Sequence, residues 1–367
     1  MSLRDVVCEL VRIGSPSNHE GRKADRWAGE LRALGFEVRF DDTAALTSSD
    51  SGNLIAFLPG TAAGHVVFSA HMDPVQPCPG IEPVVIDGVV RPAGDTILSA
   101  DDKAGVAAIF EGLRSALESD APRPDVTVLL TTCEEQHLLG SSALAAGELP
   151  EGAPCYVLDA DGAPGTIITG APCHWSLNAT FAGRAAHAGV VPEEGISAIS
   201  MAAAAIDAMP LGRLDEATTA NIGAIEGGSA TNVVPASCTL AGECRSLYAE
   251  RAEAQKAAMT EALEAAAARF GGTVSYEWTK SYDAVLFDED DELVQAIARA
   301  ARAAGLQPRS PHPGRGSDAN ILPARRVRPI TPGLGLASFH PTDEPNTVAA
   351  PPGTARPDAA PTADATQ

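Results

Sequence analysis

The chain has 367 residues, 45% of them hydrophobic and 20% charged, with a mean hydropathy near zero. That describes a soluble globular protein too long for one ordinary core, so two domains are expected. Lys and Arg total 26 against 48 Asp and Glu, a formal charge of -22, and such a surface repels nucleic acid and anionic membranes alike.

The opening MSLRDVVCELVRIGS carries Asp5 and Glu9 inside a periodic apolar pattern of Leu3, Val6, Val7, Leu10 and Val11. It predicts an amphipathic helix, not a signal peptide. No apolar run reaches the ~20 residues of a membrane span. A second helix is expected from about Glu20 to Leu34, stopped at Gly35. Strand-like runs follow at 36–40, 53–58 and 65–70, a helix from Lys103 to Leu117, and short apolar runs at 126–132 and 156–159. Strands alternating with helices imply an α/β sheet. From WSLNATFAG onward the pattern changes to β-α-β-β-α-β, with helices near 195–209 and 249–270, the split order of a ferredoxin-like domain. The helix at 292–306 returns to the earlier style. The chain therefore reads as one α/β domain (1–173 and 283–344) interrupted by a smaller one (174–282). The last residues, 345–367, are rich in Pro and Ala and are expected to be disordered. Seven cysteines without CxxC spacing point to buried thiols in a reducing cytoplasm.

Polar residues gather where the strands end. HVVFSAHMDPV places His71 and Asp73 two residues apart, hence on one side of an extended chain. SADDKAG puts Asp101 and Asp102 before a helix, TTCEEQ puts Glu134 and Glu135 after a strand, VLDADG puts Asp159 and Asp161 after another, and His340 lies far downstream in SFHPTDE. In open α/β sheets ligands bind at the carboxyl ends of strands. Each cluster also has a plainer reading: Asp101 or Asp102 suits a helix cap, and Asp159–Gly162 suits a turn. So many carboxylates in one place repel one another strongly without cations. Mixed His and carboxylate ligation suits zinc, with manganese or cobalt as alternatives. Adjacent glutamates in a strand point to opposite sides, so one of Glu134 and Glu135 can hold metal while the other serves as general base.

The motifs HMD, SADDKAG, CEEQ, VLDADG, GRAAHAG, TNVVP, GRGSDAN and HPTDE stand in one order over residues 1–344. In that order they resemble the co-catalytic zinc aminopeptidases, carboxypeptidases and deacylases, and most of all the peptidase T-like branch. The resemblance implies a mixed-sheet zinc-peptidase catalytic domain with an inserted ferredoxin-like α+β domain that serves as dimerisation domain and lid. It implies two divalent ions: Asp101 bridging them, His71 and Asp159 completing one site, Glu135 and His340 the other. It makes Glu134 the general base and Asp73 the partner that orients His71. It places His187 of GRAAHAG in the active site of a partner subunit, at the developing oxyanion. Asn232 and Arg245 resemble substrate-binding positions, although a turn residue and a surface arginine are equally ordinary readings, and the Gly314–Asn320 loop lies near the pocket.

The expected substrate is a short peptide or an N-acyl amino acid, and the expected assembly a homodimer. A deacylase or carboxypeptidase on the same scaffold is the alternative, and aspartate at 159, where several deacylases carry glutamate, favours the peptidase. A non-catalytic metal- or ligand-binding relative is the reading from another class, and the complete ligand set argues against it. In relatives a helix follows the HPTDE-type motif, whereas here Glu344 runs straight into Pro345 and the Ala/Pro tail.

Overall fold

The computed structural model describes residues 3–78, 80–86, 89–310 and 315–335. Its chain forms two units: Met1–Ile168 with Asp288–Pro311 and Leu322–Gln367, and Thr169–Phe287 with His312–Ile321. His340 and the tail 345–367 lie outside the described residues. Among the described residues no helix is long and apolar enough to cross a membrane.

The first unit is built on a seven-stranded mixed sheet in the spatial order Glu37–Phe40, Leu54–Leu58, Asp125–Thr131, His65–His71, Pro154–Val157, Arg328–Pro332, Ile167–Ile168. The four strands from Asp125–Thr131 to Arg328–Pro332 run parallel. Their neighbours on either side, Leu54–Leu58 and Ile167–Ile168, are antiparallel to them. Leu54, Ala56 and Leu58 alternate into one face with Val126, Val128 and Leu130, as period-2 strands must. Trp27 and Leu31 of the helix Gly21–Ala33 share this core with Val106, Ile109, Phe110 and Leu113 of the helix Ala100–Leu117. Trp27 is fully buried and Phe110 nearly so; these apolar residues, at helical spacing, form the stripes that the sheet covers.

The strand Arg328–Pro332 has no counterpart in the sequence reading. Pro329 and Pro332 argue against a strand, yet the segment pairs in parallel with Pro154–Val157 on one side and with only two residues, Ile167–Ile168, on the other. A neighbour that short leaves few ladder bonds for the prolines to break.

The second unit carries an antiparallel five-stranded sheet in the order Gly212–Arg213, Thr218–Gly227, Ser237–Ser246, Cys173–Ala182, Thr273–Tyr282. The helices Ala198–Ala208 and Ala249–Phe270 pack on it through Met201, Ala205, Met259 and Leu263 against Leu177, Phe181 and Leu240. Apart from the two-residue strand Gly212–Arg213, the chain order is the β-α-β-β-α-β expected. Its limits differ from the expected 174–282, and part of 312–321, placed in the first domain by the sequence reading, belongs here. The physical reason is local. The Asn320 side-chain amide donates to the Pro172 and Asp283 carbonyls at 3.2 and 2.8 Å, and Gly316 sits so close to Tyr282 that a Cβ would fall 2.0 Å from the phenol oxygen.

Candidate metal centre

The parallel strands end in register: His71 pairs with Thr131, and Ser69 with Val157. The residues that follow them, Glu134, Glu135 and Asp159, therefore emerge beside His71 at the carboxyl edge of the sheet. Two groups of ligand atoms result, each with all members within 4.8 Å of one another: His71 with Glu134 and Asp159, all buried, and His71 with Asp101 and Glu135, the latter two half-buried. Five of the six predicted metal-site and base residues thus come together, and His340 lies outside the described residues. Asp161 is exposed.

His71 is 1% exposed. Its Nδ1 lies 2.7 Å from the Asp73 carbonyl oxygen, which can only accept, so Nδ1 carries the hydrogen and Nε2 faces Asp101 Oδ1 at 3.1 Å. Burial works against an imidazolium here, but Glu134, Asp101 and Asp73 outweigh it and raise the His71 pKa well above its ordinary value. The chain thus favours positive charge at this spot. A donor set of one imidazole and several carboxylates fits a zinc-type divalent ion.

Asp73 is placed differently from a simple partner to the ring. Its carboxylate is 3.6 Å from Nδ1. It accepts instead from the backbone amides of Glu134 and Glu135 at 2.9 and 3.3 Å and from the Ser17 hydroxyl at 2.6 Å. Burial would raise this carboxyl, but His71, Ser17 and the Glu134 amide together hold it below the ordinary value. Asp73 orients the ring through its carbonyl and the glutamate pair through its side chain.

The adjacent aspartates divide their work. Asp101 and Asp102 have non-helical dihedrals, so the regular helix begins at Lys103. Asp102 accepts from the Gly105 amide at 3.2 Å in the manner of a helix cap, and its other oxygen accepts from the His71 amide at 3.2 Å. Burial, reinforced by Asp159 and Asp101 against the pull of His71, raises the Asp102 pKa well above the carboxylate range. Asp101 is left to face the imidazole.

The second unit holds His187, Asn232 and Arg245. His187 and Asn232 are exposed and their loops are joined: His187 forms a bridge with Val233, and the Ala188 amide donates to the Asn232 carbonyl at 2.9 Å. His187 Nδ1 accepts from the Gly189 amide at 3.2 Å, which leaves Nε2 to carry the proton. Arg245 pairs with Glu243 at 2.7 Å, and Glu243 also takes the His174 ring at 2.7 Å. His174, which lies in none of the motifs, is buried and joins a partly buried polar cluster with Ser281 and the stacked ring of Tyr282.

Sequence reasoning missed Asp102 as an anchor for His71, and it missed the polar side chains that hold the Glu134–Glu135 turn. The acid that ends the run SPSNHE, Glu20, carries no local signal, because burial is not visible in a short polar run.

Two family models match the chain: a peptidase dimerisation domain of M20 type over residues 170–270 and peptidase family M28 over 53–186. Aminopeptidase PepT from Bacillus cereus is similar in structure with a TM-score of 0.86 and 40% identity, covering 94% of this chain and 93% of that one. A tripeptidase from Staphylococcus aureus is similar with a TM-score of 0.89 and 34% identity, over 94% and 93% of the two chains. The uncharacterized protein YqjE of Bacillus subtilis is 40% identical over 343 residues, 93% of this chain and 92% of that protein.

Proposed function

The chain belongs to the co-catalytic metallopeptidase family, in its peptidase T-like branch, and from that premise we propose that it is a metal-dependent hydrolase that cleaves short peptides from the amino end. The observation that carries this reading is the convergence of His71, Asp101, Glu134, Glu135 and Asp159 at the carboxyl ends of the parallel strands of the mixed sheet. The cofactor in this reading is a pair of divalent ions, zinc first, held by His71, Asp101, Glu135, Asp159 and His340. When bound, such ions polarise a carbonyl and lower the pKa of water toward neutrality.

The chain's own residues do the rest. His71 presents Nε2 because the Asp73 carbonyl holds Nδ1–H. Asp73 fixes the backbone of both glutamates. The Glu134 carboxylate takes a proton from the attacking water and returns it to the nitrogen of the leaving amine. His187 of a second copy donates Nε2–H to the oxygen that becomes negative as the carbonyl is attacked. Its exposed loop and the dimerisation-domain match support that placement. Seven cysteines, none of them in a disulfide among the described residues, fit a reducing, cytoplasmic setting.

The test is a screen of tripeptides, dipeptides, N-acyl amino acids and acylated diamines against protein loaded with zinc, cobalt or manganese, with products identified by mass. Release of the free amino-terminal residue from tripeptides is expected. Turnover confined to N-acyl compounds would move the assignment to the deacylases. Two bound metals with no hydrolysis of any substrate would make the protein a non-catalytic relative.

A further inference from the structure

Four consecutive backbone amides lead into and through the glutamate pair, and each is held by a side-chain acceptor from a distant part of the chain. The Thr132 amide donates to Asn53 Oδ1 at 3.1 Å, Cys133 to Glu20 Oε1 at 3.0 Å, and Glu134 and Glu135 to the two oxygens of Asp73 at 2.9 and 3.3 Å. Thr132–Glu135 is outside regular strand or helix, and Cys133 sits at a φ of 50°, a left-handed conformation that a residue with a Cβ adopts only when its surroundings impose it. Asn53 and Glu20 are both 0% exposed.

Glu20 has no local task that explains its burial. It precedes the helix Gly21–Ala33 in the N-cap position, yet its side chain makes no cap hydrogen bond. One carboxylate oxygen holds the Cys133 amide and the other accepts from the Ser49 hydroxyl at 2.5 Å. Its neighbours along the chain face the same place. Ser17 donates to Asp73, Ser15 to the Met72 carbonyl at 2.9 Å, and Asn18 to the Gln136 side chain at 3.2 Å. An uncompensated carboxyl is costly to bury; Glu20 is compensated by the amide and, at 3.4 Å, the thiol of Cys133 and by Ser49, so a buried acid directed at a strained turn implies that the turn's exact position matters.

We infer that Glu20 is a positioning residue of the metal centre: by holding the Cys133 amide it sets the direction in which Glu134 and Glu135 leave the strand Asp125–Thr131. The inference rests on the reading of these glutamates as ligand and base. Removing a group that orients metal ligands typically costs 10–100-fold in metal affinity or activity.

The experiment compares Glu20→Met, which fills the space without an acceptor, with Glu20→Gln, which keeps one. Cobalt affinity and the cobalt visible spectrum are measured together with kcat and KM on a tripeptide. Glu20→Met is expected to weaken cobalt binding or kcat ~10–100-fold, to alter the spectrum and to leave KM near its original value. Glu20→Gln is expected to restore both readouts to within about threefold, the amide oxygen replacing the lost acceptor. A folded Glu20→Met protein with unchanged cobalt affinity, spectrum and kcat overturns the inference. If Glu20→Met does not fold, Ser49→Ala removes only the second bond that fixes the carboxyl, and a smaller fall in kcat at constant KM with a changed spectrum is expected. An unchanged spectrum and kcat in Ser49→Ala then overturn it. The cobalt readouts need no substrate, so a wild-type protein that fails to cleave peptides defeats the peptidase reading and leaves this test intact.

Discussion

Glu134 stands between two roles. Its carboxylate lies in the same buried group as His71 and Asp159, a position from which it can either ligate or take a proton. Glu134→Gln separates them. As a general base its loss lowers turnover by at least ~10²-fold while metal content and folding stay normal, whereas Glu135→Gln loses metal. Inductively coupled plasma analysis beside steady-state kinetics reads both. A Glu134→Gln protein short of one metal would make Glu134 a ligand. Asp73→Ala tests the neighbouring role. It strips the acceptor from the Glu134 and Glu135 amides but leaves the carbonyl that holds His71, so activity should fall ~10–100-fold. Retention of full kcat with full metal content would show that the turn does not need that carboxylate.

Elements act here by aligning their ends. His71, Glu134 and Asp159 are far apart in sequence, and the parallel pairing of three strands in register makes them neighbours. In the second unit the strands Cys173–Ala182, Ser237–Ser246 and Thr273–Tyr282 bring His174, Glu243, Arg245 and Ser281 into one cluster. The His174 ring, with Arg245 adding to it against the effect of burial, holds the Glu243 carboxyl down from 4.5 to about 2. A depressed carboxyl stabilises the folded state above its unfolded pKa, and that stabilisation is lost as pH falls through the folded value. Glu243→Gln should therefore lower stability at pH 7 by ~2 kcal/mol, allowing for the partial exposure of the group. The gap between the two proteins should shrink through pH 4.5 and nearly vanish near pH 2. Urea denaturation of both at several pH values measures it, and a gap that stays constant down to pH 3 would refute the assignment of the stabilisation to the ionised carboxylate.

At the scale of the molecule, the reading of His187 requires two copies. Removing one oxyanion donor costs ~10²–10³-fold in rate, so His187→Ala should be nearly inactive while it binds metal and melts like the parent. Mixing it with Glu134→Gln gives a sharper outcome. If His187 serves the partner's site, a mixed dimer contains one site with both lesions and one with neither, and activity returns in part after subunit exchange. If it serves its own chain, each site carries one lesion. No recovery, with exchange verified by mass spectrometry of tagged subunits, would defeat the trans arrangement.

Periodicity and strand-end chemistry were legible from the residues alone. The β-α-β-β-α-β order of the second unit, the apolar stripe of Val106, Ile109, Phe110 and Leu113, and the placement of His71, Glu134, Glu135 and Asp159 after apolar runs all follow from the direction in which successive side chains point along one element. Tertiary structure alone decided which aspartate caps the helix and which faces the imidazole, that the Asp73 carboxylate turns to the glutamate amides, that Arg328–Pro332 joins the sheet despite its prolines, and that Asn320 belongs with the second unit. These outcomes depend on partners brought together by several elements at once. Glu20 and the Cys133 amide lie 113 residues apart, and no local pattern announces a hydrogen bond that exists only because a helix, a loop and a strand pack against one another, where a buried amide left without an acceptor is too costly to keep.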